Sequence, residues 1–270
     1  MATGHYTHLP GQLSRWGVVD VGLKCPHSCV HCYYAYLPDG TETPKKYAGM
    51  RRASWKATEL LLAQVDKMAD NRFLGFDITG GEPTAHPGIV DVVQRATDRG
   101  IGTRMITLGQ FLTNKHKLLE RLLAAGLTDF LFSYHAADPA LFKELTGGDL
   151  GKMLDAMDML GAEGFQFGTN TVCTESNSRT LPDLARAIVQ KNVYVSNFIL
   201  MNAYYEWADG KASAVRARYS EMAPYLREAV HILESNGIAV NVRYAPCAPS
   251  PGWRRTTWAP WASATIPMSG

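Results

Sequence analysis

Cys25, Cys29 and Cys32 stand in the run Lys24-Cys25-Pro26-His27-Ser28-Cys29-Val30-His31-Cys32-Tyr33, a C-x3-C-x2-C triplet with no fourth cysteine nearby. Three clustered thiolates suit a cubane iron–sulfur cluster that keeps one iron open, whereas structural zinc sites and structural clusters normally take four protein ligands. The apolar, β-branched stretch Val18-Val19-Asp20-Val21 precedes the triplet, so the cysteines fall where a strand ends and a loop begins. In barrel folds the chemistry sits at that end of the strands.

A second run, Asp77-Ile78-Thr79-Gly80-Gly81-Glu82-Pro83, has the same layout: Leu74, Phe76 and Ile78 alternate as in a strand, and a paired-glycine turn with a carboxylate follows. Two glycines let the backbone approach a bound molecule without interference from Cβ. Glu82 beside them can accept charge-assisted hydrogen bonds from an ammonium group. Other readings exist for each run. The triplet with His27 or His31 could form a zinc knuckle, although no second ligand pair follows it. A disulfide framework fits poorly with an odd number of cysteines in a chain of this size. Gly80-Gly81 alone would serve as an ordinary strand-to-helix turn.

Together, and in this order, the two runs resemble those of the radical S-adenosylmethionine (radical SAM) enzymes. The resemblance implies that Cys25, Cys29 and Cys32 hold a [4Fe–4S] cluster whose open iron is chelated by the amino and carboxylate groups of SAM. Gly80, Gly81, Glu82 and Pro83 would then lie at the amino group. An aromatic residue is common just before the third cysteine in that family; here His31 takes the place and Tyr33 follows, and both are candidates for packing against adenine. A Thr-Asn-Gly-like turn is kept at Thr107-Leu108-Gly109 but lacks the amide. Ser133 is a candidate contact for the SAM carboxylate or ribose, with His135 near it. Asn170 is a candidate for the ribose hydroxyls and Met201 for apolar surface near adenine. Each has a plainer alternative: an ordinary loop histidine, a strand-end amide satisfying a carbonyl, a core methionine.

The remaining cysteines, Cys173 and Cys247, cannot ligate a further cluster, so a single cluster is expected. Cys173 lies within a β run and reads as core. Cys247, in Tyr244-Ala245-Pro246-Cys247-Ala248-Pro249, is either a small buried residue or a thiol that donates a hydrogen atom to a substrate radical. The chemistry implied by the resemblance is reductive cleavage of SAM to a 5′-deoxyadenosyl radical, which abstracts hydrogen from a C–H bond of a small-molecule or peptide substrate. A one-electron donor such as flavodoxin or ferredoxin is the implied partner. The competing class is a non-catalytic zinc- or iron-binding scaffold or sensor using the same triplet.

The elements that must position these residues alternate along the chain. Strand-like stretches end near Val21 and Gly80 and cover 102–108, 129–134, 165–173, 195–202 and 238–244. Helical periodicity covers 54–71, 87–99, 115–125, 139–145, 150–163, 181–191 and 220–235. The alternation predicts an α/β fold with a parallel sheet. Six βα units are too few for a closed eight-stranded barrel and suit the partial, laterally open (β/α)6 TIM-like barrel that the resemblance implies. The expected organisation is an N-terminal extension over 1–15, the barrel with a C-terminal helix and strand over 16–248, and an irregular tail over 249–270.

A chain of 270 residues with 46% hydrophobic content is long enough for one full core. The net charge of +2 with 19% charged residues gives no field that favours nucleic acid. No apolar run approaches the ~20 residues of a membrane span, and the N-terminus lacks a signal-peptide pattern. A cytoplasmic protein is expected.

Overall fold

Strands and helices alternate through the residues that the computed structural model describes, 15–36, 38–42, 45–113, 117–201 and 215–245. The strands are β1 (Trp16–Asp20), β2 (Gly75–Thr79), β3 (Gly102–Thr107), β4 (Asp129–Ser133), β5 (Phe167–Cys173), β6 (Val193–Leu200) and β7 (Ala239–Arg243). They form one seven-stranded sheet in chain order, and every pairing is parallel. Sequential parallel pairing requires a crossover between each pair. The crossovers carry α1 (Ala48–Arg52), α2 (Thr58–Asp70), α3 (Ile89–Asp98), α4 (Leu118–Ala124), α5 (Pro139–Thr146), α6 (Leu150–Ala162), α7 (Leu181–Val189) and α8 (Tyr219–Ser235). The sheet begins at β1 and ends at β7 without joining them, which is the open partial barrel expected, with β7 added beyond the sixth βα unit.

Alternation along the strands sorts side chains between the helices and the lumen. Val19, Phe76, Ile78, Met105, Phe130, Phe132, Phe167 and Phe198 are buried and pack in one core with helix residues such as Leu61, Val65, Val92, Met153 and Leu184. The Phe132 ring stacks on Phe130 at 5.4 Å and meets Phe167 edge-on at 5.2 Å. Each such aromatic contributes about 1.5–3 kcal/mol by burial. Residues between them in sequence face the lumen, and Val18 there is 57% exposed.

One boundary and one element differ from the sequence expectation for a physical reason. The helix expected from residue 54 starts at Thr58, because Trp55 bridges to Gly22 and Lys56 N–H donates to the Val21 carbonyl, 3.0 Å. The short helix α1 was not foreseen; five residues carry no periodicity, and its entry is set by Tyr47 in a left-handed conformation, φ 66°. The expected C-terminal tail (249–270), and the expected N-terminal extension (1–15) but for Arg15, lie outside the described residues.

A polar network links β1 to β4 and β6. Trp16 Nε1 donates to Asp77 (2.7 Å) and Arg104 donates to the same carboxylate (2.8 and 3.1 Å) while lying over the Trp16 ring. Next in register, Asp129 accepts from the Tyr194 hydroxyl at 2.6 Å, and its Oδ1 is buried without a partner. Burial pushes the Asp129 carboxyl up to about 6, against the pull of Tyr194 and Arg104. A raised folded-state value means that its contribution to stability is complete below the ordinary carboxylate range and is lost as pH rises through about 6. Asp129→Asn should therefore melt higher than the parent at pH 8, by about 1–3 kcal/mol, and no higher at pH 4. Thermal melts at the two pH values test this; an equal difference at both contradicts it.

Candidate active site

The cysteine loop leaves the top of β1 and is held from several sides. Ser28 N–H donates to Thr146 O (3.0 Å) and Val30 N–H to Leu145 O (2.9 Å), which ties the loop to the end of α5. The Tyr47 hydroxyl reaches the carbonyls of Ser28 (2.8 Å) and Cys29 (3.1 Å). The Cys29 sulfur lies 3.9 Å from Thr146 O, and that of Cys32 lies 3.8 Å from Met50 Sδ. Burial pushes the Cys25 thiol up to about 12 and raises Cys29 and Cys32 as well, and the neighbouring cysteines add to the rise at Cys25 and Cys29. The backbone N–H of His27 and of Tyr34 oppose this at Cys25 and Cys32, as do the Arg51 and Lys46 charges.

Three mutually close thiols, Cys25 buried and Cys29 and Cys32 half-buried, remain neutral unless a cation takes up the thiolate charge, so the donor set fits a metal centre. Among the described residues no three His, Cys, Asp or Glu side chains converge on one point as a single metal ion requires. A cubane takes one cysteine per iron and needs its thiols around a rim.

The Gly-Gly-Glu-Pro turn is built against this loop. Gly81 N–H donates to Gly22 O (2.8 Å) and Glu82 N–H to Lys24 O (3.3 Å). A Cβ on Gly81 would lie 1.9 Å from Lys24 O, and Gly80 has φ 124°. The close approach that these glycines permit is thus to the chain's own cysteine loop, a use that the sequence did not reveal. Pro83 is buried and opens a single 3-10 turn.

Glu82 is 2% exposed. Its Oε1 accepts from Thr84 N–H (3.1 Å) and from the hydroxyls of Thr84 and Thr107 (both 2.6 Å). Its Oε2 faces His27 Nε2 (3.2 Å) and accepts from Leu108 N–H (3.1 Å). Burial pushes this carboxyl up, but the bonds from His27, Thr107 and Thr84 outweigh it and hold the group below the usual carboxylate range. Both oxygens are enclosed by the protein. The carboxylate therefore braces the cysteine loop, β2 and the Thr107-Leu108-Gly109 turn.

On the lumen face, Ser133, Asn170, Asn197 and Asn241 lie level across β4 to β7. Asn241 Nδ2 donates to Asn197 Oδ1, and Asn197 Nδ2 to Asn170 Oδ1, each at 2.9 Å. The sequence points to Ser133 and Asn170 but not to Asn197, which follows another polar residue, Ser196, nor to Asn241, whose signal is the alternation Val240-Asn241-Val242. Above them His31 and His135 meet edge-on at 4.4 Å. Burial lowers both, His31 to about 4, and His135 Nδ1 accepts from Val172 N–H at 3.1 Å. The His31 Nδ1 atom is buried without a partner.

Tyr33 is 70% exposed, with its ring against Tyr34. Met201 packs in a small apolar group around Ala35, behind the third cysteine. Cys173 is buried at the end of β5, in the core as expected. Cys247 lies outside the described residues.

A partial parallel barrel with a three-thiol loop and a glycine turn locked together at the strand ends defines a class of cofactor-dependent barrel proteins. The Radical SAM superfamily model matches residues 19–188, and the chain belongs to that family. It is 27% identical over 196 residues to the PqqA peptide cyclase of Rhodopseudomonas palustris, covering 71% of this chain and 48% of that protein. It is 31% identical over 189 residues to the GTP 3′,8-cyclase of Pseudomonas savastanoi pv. phaseolicola, covering 67% and 52%. Streptococcus suis SuiB bound to S-adenosylmethionine shares the fold, with a TM-score of 0.66, 16% identity, and coverage of 87% of this chain and 51% of SuiB. The chain spans about half the length of the curated relatives it matches.

Proposed function

We propose that the chain is a radical SAM enzyme holding one [4Fe–4S] cluster on Cys25, Cys29 and Cys32. The observation that carries this reading is the locking of the cysteine loop to the Gly80-Gly81-Glu82 turn, within a chain of this family. A cluster held on these thiols would supply the one-electron reduction by which bound SAM is cleaved reductively, giving a radical able to take hydrogen from a substrate C–H bond. The protein's own share is to bind, orient and exclude water. The backbone of Gly80 to Glu82 receives the SAM amino group, Ser133 and Asn170 offer hydrogen bonds to its carboxylate or ribose, and His31 with Tyr33 and Met201 borders adenine. Cys247 as a hydrogen-atom donor belongs to the same proposal.

The substrate is a peptide or a small molecule: among the relatives, one is named a PqqA peptide cyclase and another a GTP 3′,8-cyclase. A reduced flavodoxin or ferredoxin supplies the electron, and the cysteine usage fits a reducing compartment such as the cytoplasm. Among the described residues no helix is long and apolar enough to cross a membrane. Iron and sulfide analysis after anaerobic reconstitution tests the cofactor assignment. Four irons and four sulfides per chain are expected; one zinc per chain without sulfide would favour the scaffold reading instead.

A further inference from the structure

We propose that the surface formed by the end of α5, the Gly147-Gly148 turn and the start of α6 is the docking face for a reduced, acidic one-electron donor protein. This rests on the cluster assigned above to Cys25, Cys29 and Cys32. An open depression of about 320 Å³ lies here, with Gln110, Lys143, Gly147, Gly148, Asp149 and Lys152 in its wall. The wall is thin on the side of the cysteine loop. Thr146 O accepts from Ser28 N–H and lies 3.9 Å from the Cys29 sulfur, and a Cβ on Gly147 would come within 3.3 Å of Ser28. Only a strip of backbone separates the depression from a cluster ligand.

The charge on this face is positive and available. Among the described residues neither Lys143 nor Lys152 has a carboxylate partner, while the Asp149 carboxylate accepts from Gly151 N–H. Glu144, next to Lys143 on α5, does not line the depression. Arg51 adds a third cation beside Ser28, 3.1 Å from its hydroxyl. The face is also stiff: the Gln110 side chain bonds both the Asp149 backbone N–H (2.7 Å) and its carbonyl (2.9 Å), and reaches Leu108 O beside the Glu82 brace. A rigid basic face over a thin wall suits a partner with an acidic rim around its redox group, because complementary charge steers encounter. One electron leaves the donor and enters the oxidised cluster; no bond forms or breaks between the proteins.

The test is stopped-flow bleaching of the reconstituted cluster by reduced flavodoxin, comparing the parent with Lys143→Glu/Lys152→Glu at low and high salt. The variant should be reduced roughly 10- to 100-fold more slowly at low salt, and the parent's rate should fall with salt far more steeply than the variant's. Iron content, SAM binding and reduction by dithionite should match the parent. Equal rates and equal salt dependence with flavodoxin would overturn the docking face while leaving the cluster assignment intact. A parent chain that assembles no cluster would overturn both.

Discussion

Cys29→Ala should abolish cluster assembly and SAM cleavage together, with 5′-deoxyadenosine formation falling by at least about 10³-fold. Cys29 is the middle ligand of the triplet. Its sulfur sits under Thr146 O, and burial together with the neighbouring cysteines raises it well above the ordinary thiol range. Removing it leaves two thiols that belong to different corners of the loop. The backbone that shapes the loop does not depend on the sulfur: the Ser28, Val30 and Tyr47 hydrogen bonds remain. The variant is therefore expected to keep the parent's circular dichroism and melting temperature in the metal-free state. Retained cleavage in a folded variant contradicts the assignment of the triplet.

Glu82→Ala should have the largest effect on the fold around the site. Thr84, Thr107, Leu108 and His27 all direct polar groups at its carboxylate in the absence of solvent. Alanine would strand those donors in a dry site, at a cost of about 3–5 kcal/mol, or a drop of roughly 6–20 °C in Tm. The cysteine loop loses its His27 anchor in the same step, so iron uptake should fall with stability. Glu82→Gln keeps the shape and one acceptor oxygen and should cost less. The carboxyl is held below its ordinary range, so its contribution is present above that range and is lost as pH falls through the folded-state value. The parent's Tm should accordingly decline on acidification into that range more steeply than that of Glu82→Gln. A Glu82→Ala variant that melts with the parent and takes up iron normally would remove the brace from the account.

What could be seen in the sequence was what repeats locally. Alternating Phe76 and Ile78, the apolar face at Leu61 and Val65, and the glycines at 100, 126 and 237 with positive φ announce strands, helices and their ends. The cysteine triplet and the glycine turn were legible because both are contiguous. The partners of Glu82 were not, since Thr107 and His27 come from other strand ends and only the register of the sheet brings them to one carboxylate. Asn197 and Asn241 were hidden for the same reason: Asn197 between Ser196 and Phe198, and Asn241 between Val240 and Val242, signal lumen positions only once three strands are set level. The glycine turn shows the limit from the other side. Its lack of side chains was rightly taken as a need for close approach, but sequence alone could not say that Lys24 of the same chain is the near neighbour.

The central claim is that this chain uses a cluster on Cys25, Cys29 and Cys32 to cleave SAM. The most direct measurement is anaerobic: reconstitute the protein with iron and sulfide, add SAM and dithionite, and quantify 5′-deoxyadenosine by chromatography. Formation that requires both the cluster and SAM is the result expected. A fully loaded cluster that yields none, with and without candidate peptide and nucleotide substrates, would contradict the claim.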